Sequence, residues 1–261
     1  MNRLFHCPGD QDRIAEILER VESTAILNPR ATHRDIRKAC EDAINYGYGY
    51  LVPFRQYLPE VMEYLKGSPV KVVEGFSDMP LQSERLHTYE TGLKMGCCEL
   101  DMVGRMSLFF DKKYKEFQKD CREVVELANG YHAPVKVIIE TGFLTDPEKI
   151  LAAELALEAG ASFIKLCVGM GQRRGRGTIH DVLLLKEAFG SRIRIKASSA
   201  IASLEDADAM IRAGADRVAV RSILAEQLQD IGYCPESCYL TESRIPRRSL
   251  AKCISKPARN L

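Results

Sequence analysis

The sequence has almost no excess of either charge, with 37 lysine and arginine residues against 36 aspartate and glutamate residues and a net charge of +1. This balance produces no overall field that would attract nucleic acid or an anionic membrane. The sequence also lacks any apolar run approaching the roughly 20 residues that cross a bilayer, and its first residues lack the long apolar core of a signal peptide. We therefore expect a cytoplasmic protein with no nucleic-acid or membrane partner.

A complete set of cysteines for disulfides or for a metal is also missing. The nine cysteines are an odd number, which argues against a full disulfide framework. Cys234, Cys238 and Cys253 offer three zinc ligands, but no second close pair or nearby histidine completes a set of four. We expect no metal and no other cofactor. The cysteines at positions 97, 98, 121 and 167 are expected to be small buried apolar side chains.

The sequence does contain a regular alternation of short β-like runs and amphipathic helical patterns, which is typical of a parallel sheet with crossover helices. Eight strands are predicted, at residues 24–28, 49–53, 70–74, 97–103, 135–140, 163–167, 192–196 and 217–221. Eight such units fit a closed barrel better than an open sheet, and α/β barrels of this length are commonly one domain. The sequence therefore predicts an α/β fold, a (β/α)8 TIM barrel over residues 1–232 with a short N-terminal helix, followed by a basic C-terminal tail over residues 233–261.

Helices are predicted between these strands, several of them with local start or stop signals. The predicted ranges are 32–43, 59–66, 82–95, 113–129, 146–159, 179–189 and 204–213. Thr145 and Ser203 are typical N-cap residues, and Pro147 follows the first of them near the first helical position. Gly160 and Gly214 each follow a helix, where a left-handed residue commonly ends it. These signals support the predicted helix boundaries.

Two lysines and one aspartate lie in predicted buried strands. Lys165 closes the apolar run ASFIK, Lys196 closes IRIK, and Asp101 lies within ELDMV. In a (β/α)8 barrel the active site lies at the carboxyl ends of the strands, so charged side chains there are typical of catalysis. A lysine attacks a carbonyl only as the neutral amine, and its reference pKa of about 10.4 must be lowered by desolvation or by a neighbouring cation. The pattern indicates a reactive lysine at position 165, with Lys196 as the cation and Asp101 as the proton carrier.

Each of these residues alone also has a structural interpretation. A lysine at a strand end can extend its ammonium to solvent, and Asp101 can form an ion pair with Arg105. The three residues together favour amine chemistry on a carbonyl.

Four segments resemble deoxyribose-phosphate aldolase in order and spacing. They are ELDMV at residues 99–103, VKVIIETG at 135–142, ASFIK at 161–165 and IKAS at 195–198, within a similarity that spans about residues 20–230. The resemblance implies a (β/α)8 barrel and a class I aldol cleavage or condensation without metal. It places the family's Schiff-base lysine on Lys165, the lysine that keeps it deprotonated on Lys196, and the proton-relay aspartate on Asp101.

The chain departs from this family where the family holds its substrate. The hydroxyl-bearing segment that follows the family's Schiff-base lysine is LCVGM here, at residues 166–170. The Gly-Gly turn that cradles phosphate in the family is replaced by Ser199 and Ala200, and the family's Ser-Ser pair by Arg221 and Ser222. Arg221 supplies a forked donor suited to phosphate or carboxylate. We therefore expect an anionic substrate that differs from the family's usual one.

Two further features concern the substrate. The family's Asp-His-Thr at the first strand is Glu22-Ser-Thr24 here, and the cysteine of its second strand corresponds to Val52, which puts the family's contacts to substrate hydroxyls in doubt. The loop at residues 169–177 carries three arginines among four glycines, which indicates either a clamp on an anionic substrate or a solvated loop. The candidate substrate-binding residues are Arg173, Ser198, Ser199, Arg221 and Ser222.

The combined prediction is a class I, Schiff-base aldolase that forms or cleaves a C–C bond of a sugar-like, phosphorylated or otherwise anionic aldehyde or ketone. One alternative keeps the imine but leads to dehydration, isomerisation or a transaldolase-like transfer. Another alternative is a non-catalytic sugar-phosphate-binding protein that retains the barrel as a scaffold. The expected partners are a small carbonyl substrate and further copies of the chain in a homo-oligomer.

Overall fold

A ring of parallel strands organises the chain. The structure is a computed structural model that describes residues 9–75, 81–168, 176–198, 201–220, 224–231 and 233. Within these residues, eight strands form a closed barrel in sequence order. They are β1 (Val21–Ser23), β2 (Tyr50–Leu51), β3 (Lys71–Glu74), β4 (Glu99–Val103), β5 (Val135–Ile138), β6 (Phe163–Lys165), β7 (Ile195–Ala197) and β8 (Arg217–Val220). Strand β8 pairs in parallel with β1 and closes the ring, with Val218 opposite Val21. The predicted (β/α)8 TIM barrel is confirmed.

Helices connect the strands and cover the outside of the barrel. They are α1 (Gly9–Glu19), α2 (His33–Tyr46), α3 (Leu58–Tyr64), α4 (Gln82–Lys94), α5 (Met106–Phe110), α6 (Tyr114–Asn129), α7 (Asp146–Glu158), α8 (Ile179–Phe189), α9 (Leu204–Arg212) and α10 (Leu224–Asp230). The seven predicted helices are present with small shifts of their ends, whereas α5 and α10 lie outside the predicted ranges. Helix α1 precedes the barrel and packs against α9.

The local signals at the helix ends act as predicted. The backbone N–H of Thr145 donates to Glu148 Oε2 at 2.8 Å, which completes a capping box at the start of α7. Ser203 Oγ accepts a hydrogen bond from the backbone N–H of Asp206 at 3.0 Å. Gly160 and Gly214 have φ angles of 97° and 113°, a left-handed geometry that glycine adopts without steric cost.

The first strand lies earlier in the chain than predicted. The prediction of residues 24–28 is wrong, because β1 is Val21–Ser23 and the residues after it turn, with Leu27 N donating to Thr24 O at 3.0 Å. The centre of β1 is a glutamate, Glu22, that is fully buried. A buried charge of this kind is stable only with partners from distant strands, and the local sequence does not show them. The local pattern therefore favours the more apolar segment that follows Glu22 as the strand.

The seventh strand begins later than predicted. Strand β7 is Ile195–Ala197 rather than residues 192–196, because a 3₁₀ turn at Gly190–Arg192 occupies the residues after α8. Lys196 consequently lies at the centre of the strand and not at its end.

The main apolar core lies between the barrel and its helices. Outward-facing strand residues such as Val137, Ile164 and Ile195 are fully buried there. A much smaller apolar cluster of Tyr50, Val52 and Val73 also forms. Three of the cysteines predicted to be buried, at positions 97, 121 and 167, are buried, and the fourth, at position 98, is partly exposed.

Parts of two predictions fall on residues that the structure does not describe. The basic tail predicted over residues 233–261 lies outside the described residues except for Tyr233. The cysteines at positions 234, 238 and 253 lie outside them as well. No helix in the described part of the chain is long and apolar enough to cross a membrane.

Candidate active site

Strand alternation brings charged side chains into the barrel. Successive residues of a strand point to opposite faces, so the neighbours of an outward-packed residue point inward. Leu100 and Ile195 pack in the outer core, and the residues after them, Asp101 and Lys196, are fully buried on the other face. Lys165 ends β6 and is 4% exposed. The interior of this barrel is therefore charged where most protein cores are apolar.

Asp101 lies between the two lysines of the predicted catalytic set. Its Oδ2 accepts hydrogen bonds from Lys165 Nζ at 2.8 Å and from Lys196 Nζ at 2.6 Å. The structure thus brings the three predicted residues together on one carboxylate oxygen. Arg105, the alternative partner of Asp101, has its Nε 3.1 Å from Asp120 Oδ1.

A third lysine and two more carboxylates extend this cluster. Lys136 Nζ lies 2.5 Å from Glu99 Oε2, 3.3 Å from Asp101 Oδ1 and 3.4 Å from Glu22 Oε1. Glu22 also forms an ion pair with Lys196. We refer to these residues together as the ionic cluster: Glu22, Glu99, Asp101, Lys136, Lys165 and Lys196. Its three carboxylates match its three amines, so the charges compensate one another inside the barrel.

The sequence pattern does not predict Glu22, Glu99 or Lys136 as members of this cluster. A signal for Lys136 was present, because it interrupts an apolar strand two residues before Ile138. Ile138 pairs in register with Lys165, so Lys136 faces the same side of the sheet as the reactive lysine predicted at the next strand.

The contacts within the cluster shift the pKa values of its members. Burial disfavours the carboxylate form of Asp101, but the charges of Lys165, Lys196 and Lys136 outweigh burial and hold the pKa of Asp101 well below its ordinary value. Burial lowers the pKa of Lys196 to about 8, despite the opposing charges of Asp101 and Glu22. Burial also disfavours the ammonium of Lys136, but its surrounding carboxylates dominate and raise the pKa of Lys136. The cluster therefore contains a carboxylate that the lysines hold in its ionised form, beside an amine whose pKa burial lowers to about 8.

Aromatic rings and arginines lie together below the cluster. Phe163 and Tyr50 begin β6 and β2 and are almost completely buried. The Arg217 guanidinium lies 4.4 Å from the centre of the Tyr50 ring and 5.6 Å from that of Phe163, and the Arg194 guanidinium lies 4.1 Å from the Phe163 ring. These four side chains form what we call the floor, since they lie at the amino ends of the strands.

Ser198 joins two strands at the opposite end. It follows Lys196 by two residues and is 3% exposed. Its hydroxyl donates to Cys167 O at 2.5 Å and accepts from Cys167 N at 3.3 Å. The other candidate substrate-binding residues lie outside the described residues: Arg173, Ser199, Arg221 and Ser222.

The fold and the cluster define the class of protein. A closed (β/α)8 barrel with two lysines on one aspartate inside it has the equipment of a class I aldolase, an enzyme that makes or breaks a carbon–carbon bond through an imine. Comparison with known proteins agrees with this class. A curated deoxyribose-phosphate aldolase of Thermococcus kodakarensis is 40% identical over 213 residues, which cover 79% of this chain and 93% of the relative. The chain belongs to the deoxyribose-phosphate aldolase family.

Other relatives lead to the same assignment. The deoxyribose-phosphate aldolase of Caldanaerobacter subterraneus is 37% identical over 215 residues, covering 80% of this chain and 90% of the relative. Among solved structures, an aldolase named QR15 superposes with a TM-score of 0.73 at 27% identity, covering 83% of this chain and 96% of that structure. The deoxyribose phosphate aldolase of Aeropyrum pernix gives a TM-score of 0.72 at 27% identity, covering 81% and 89%. No family model matches the chain. The predicted family and the predicted aldolase activity, that of a carbon–carbon lyase, are confirmed by these similarities.

Proposed function

We propose that this aldolase cleaves and forms a C–C bond of a phosphorylated deoxy sugar, with Lys165 as the residue that forms the imine. The observation that carries the proposal is the shared contact of Lys165 and Lys196 with Asp101 Oδ2. The relatives are named for deoxyribose phosphate, which makes that compound the first substrate to test.

The surroundings of the two lysines support Lys165 as the nucleophile. Lys196 is fully buried and is held by two carboxylates, Asp101 and Glu22. Lys165 ends its strand and retains a small exposed surface, so a carbonyl carbon has a path to its Nζ. Lys196 then acts as the neighbouring cation, and Asp101 exchanges protons between the two amines because it contacts both.

The chemistry in the cleavage direction follows from an iminium on Lys165. The amine adds to the substrate carbonyl and water leaves, which gives the iminium. The β-hydroxyl loses its proton to a base, the bond between the α and β carbons breaks, and its electron pair moves toward the iminium nitrogen. The β carbon leaves as an aldehyde, and the resulting enamine is protonated at the α carbon. Water then hydrolyses this second imine, which releases the smaller aldehyde and restores the amine.

Borohydride trapping tests this proposal. Wild-type protein, Lys165→Ala and Lys149→Ala are incubated with acetaldehyde or with deoxyribose phosphate, reduced, and examined by intact mass. Lys149 is a matched control because it is a buried lysine in ion pairs with Asp146 and Asp181 on the outer helices. We expect one adduct in the wild type and the Lys149 variant, located on Lys165 by peptide mapping, and none in the Lys165 variant. A folded wild-type protein that forms no adduct would support the binding protein over the aldolase.

The anionic group of the substrate is a separate part of the proposal. We propose that Arg221 and Ser222, together with Ser198, Ser199 and Arg173, bind it. Arginine suits this role because its planar fork matches the oxygen atoms of phosphate. Replacing Arg221 with alanine is expected to raise the KM for deoxyribose phosphate and to leave the KM for unphosphorylated deoxyribose unchanged. Arg212→Ala, which changes an exposed arginine on α9, is the control.

The remaining parts of the proposal concern assembly and organisation. We propose a cytoplasmic homo-oligomer, in line with the tetramer described for the Aeropyrum pernix relative. Multi-angle light scattering is expected to give a multiple of the monomer mass. We also propose that the barrel ends at residue 232 and that a separate basic tail follows. Brief trypsin digestion is then expected to remove tail fragments while the barrel stays intact.

A further inference from the structure

Glu140 has a backbone conformation that glutamate rarely adopts. It lies two residues beyond the end of β5, with φ 52° and ψ 60°, in the left-handed region that favours glycine. Hydrogen bonds on both sides hold it there, from Ile139 N to Lys165 O at 3.2 Å and from Thr141 N to Leu166 O at 2.8 Å. The chain therefore places a carboxylate where the backbone alone would prefer glycine, and such strain is concentrated at functional sites.

The carboxylate of Glu140 is buried and only half satisfied. The residue is 7% exposed, and its Oε1 accepts a hydrogen bond from Val168 N at 2.8 Å. Its Oε2 is buried and has no hydrogen-bond partner among the residues that the structure describes. Burial raises the pKa of Glu140, while the Val168 N–H and the charge of Lys165 oppose the rise. A buried acceptor without a donor is costly, which suits a site whose donor arrives with a ligand.

Glu74 shows what a purely structural carboxylate looks like in this fold. It ends β3 and is 3% exposed, and burial raises its pKa as well. Both of its oxygens have partners, however, since Arg55 Nη1 lies 2.7 Å from Oε1 and Cys97 Sγ lies 3.6 Å from Oε2. Glu140 differs from it in the unpartnered oxygen and in its proximity to the reactive lysine.

The register of the sheet locates Glu140 relative to that lysine. Ile138 pairs with Lys165, and Glu140 lies two residues further toward the carboxyl end. Its carboxylate reaches the backbone of Val168, three residues beyond Lys165. Glu140 therefore lies nearer the carboxyl ends of the strands than Lys165, the end at which a (β/α)8 barrel binds its substrate, and the charge of Lys165 acts on its carboxylate.

We propose that Glu140 Oε2 accepts a hydrogen bond from a hydroxyl group of the substrate chain, on the part beyond the carbon attached to Lys165. Glu140 is in that case a specificity-determining residue that selects hydroxylated aldehydes over their deoxy analogues. This inference rests on the proposed function, because it requires the substrate to be attached to Lys165.

Condensation with two acceptor aldehydes tests the inference. Acetaldehyde is the donor, and the acceptor is either glycolaldehyde or propanal, which carries a methyl group in place of the hydroxyl. The variants are Glu140→Gln, which keeps an acceptor for Val168 N, and Glu140→Gly, which removes the carboxylate and relieves the backbone strain. Glu74→Gln is the matched control, because it neutralises a buried strand-end carboxylate outside the site. Borohydride trapping of acetaldehyde on Lys165 accompanies each measurement.

The expected result is selective. Both Glu140 variants should lower kcat/KM for glycolaldehyde by about 10- to 100-fold, the factor that a hydrogen bond to a charged group provides, and should change it for propanal by less than about threefold. Trapping on Lys165 and the acceptor preference of Glu74→Gln should match the wild type. Equal losses for both acceptors, or no loss for either, would overturn the inference. A wild-type protein without a trapped adduct would overturn the proposed function itself, and the inference with it.

Discussion

Replacing Glu22 with glutamine changes the charge beside Lys196 and should move the working pH of the enzyme. Glu22 forms an ion pair with Lys196, whose pKa burial lowers to about 8 while Asp101 and Glu22 oppose that effect. An opposite charge at contact distance changes a pKa by about 1–3 units. Without Glu22, the pKa of Lys196 should therefore fall further below its ordinary value. Glutamine keeps the size of the side chain and removes only its charge.

The direction of the activity change follows from the proposed role of Lys196. That role needs the ammonium form, which is lost as the pH rises through the pKa. The alkaline limb of kcat/KM should therefore move to lower pH by about 1–3 units in Glu22→Gln. Initial rates of deoxyribose phosphate cleavage across the range of about pH 5 to 10 measure this limb.

A control variant separates this effect from a general change of the cluster. Glu99→Gln also removes a carboxylate from the ionic cluster, but Glu99 contacts Lys136 and Arg217 rather than Lys196. Its alkaline limb should move less than that of Glu22→Gln. An unmoved limb in Glu22→Gln, or a limb that moves to higher pH, would refute the assigned role of Lys196.

Three further substitutions test the site and the packing around it. Asp101→Asn should reduce kcat by about 10²- to 10⁴-fold in a steady-state assay. Because the pKa of Asp101 is depressed in the folded state, the wild type should also lose stability as the pH falls below about 4. The variant should lose less stability over the same range, as measured by urea titrations in acid. Lys136→Met leaves buried carboxylates uncompensated and should lower the free energy of unfolding by about 3–5 kcal/mol in urea, whereas a loss below about 1 kcal/mol would contradict the pairing described above. Gly49→Ala would place a Cβ 2.1 Å from Glu19 O and should destabilise the fold by about 3 kcal/mol, seen as a lower Tm.

Local sequence pattern was enough for the barrel and for three members of the ionic cluster. Alternation of strands and helices predicts the fold, and a charge at the end of an apolar strand singles out Lys165 and Lys196. Lys136 and Glu140 were missed for a physical reason. The burial of Lys136 is stabilised by Glu22, which lies more than 100 positions earlier in the chain. The backbone around Glu140 is held by hydrogen bonds to Lys165 and Leu166, about 25 positions later. A pattern read along the chain contains no information on such partners.

Glu22 also shows how a buried charge misleads the placement of a strand. As a lone glutamate it made VES less strand-like than the apolar residues that follow, so the first strand was predicted too late. Its burial is explained by Lys196 and Lys136, which β7 and β5 bring to it. The same ion pairs that are central to the site therefore account for the error in the fold prediction.

The floor of Phe163, Tyr50, Arg194 and Arg217 lies at the amino ends of the strands, opposite the end at which Lys165 closes β6. With the imine on Lys165, as proposed, the carbon bonded to the enzyme would lie deeper in the barrel than the part of the substrate that extends toward the carboxyl ends of the strands. In cleavage, the larger aldehyde would then leave before the small fragment, which is still bonded to the enzyme. In synthesis the order would reverse, and the donor would bind before the acceptor. The depth of the imine in the barrel would thus set the order in which the two fragments bind and leave.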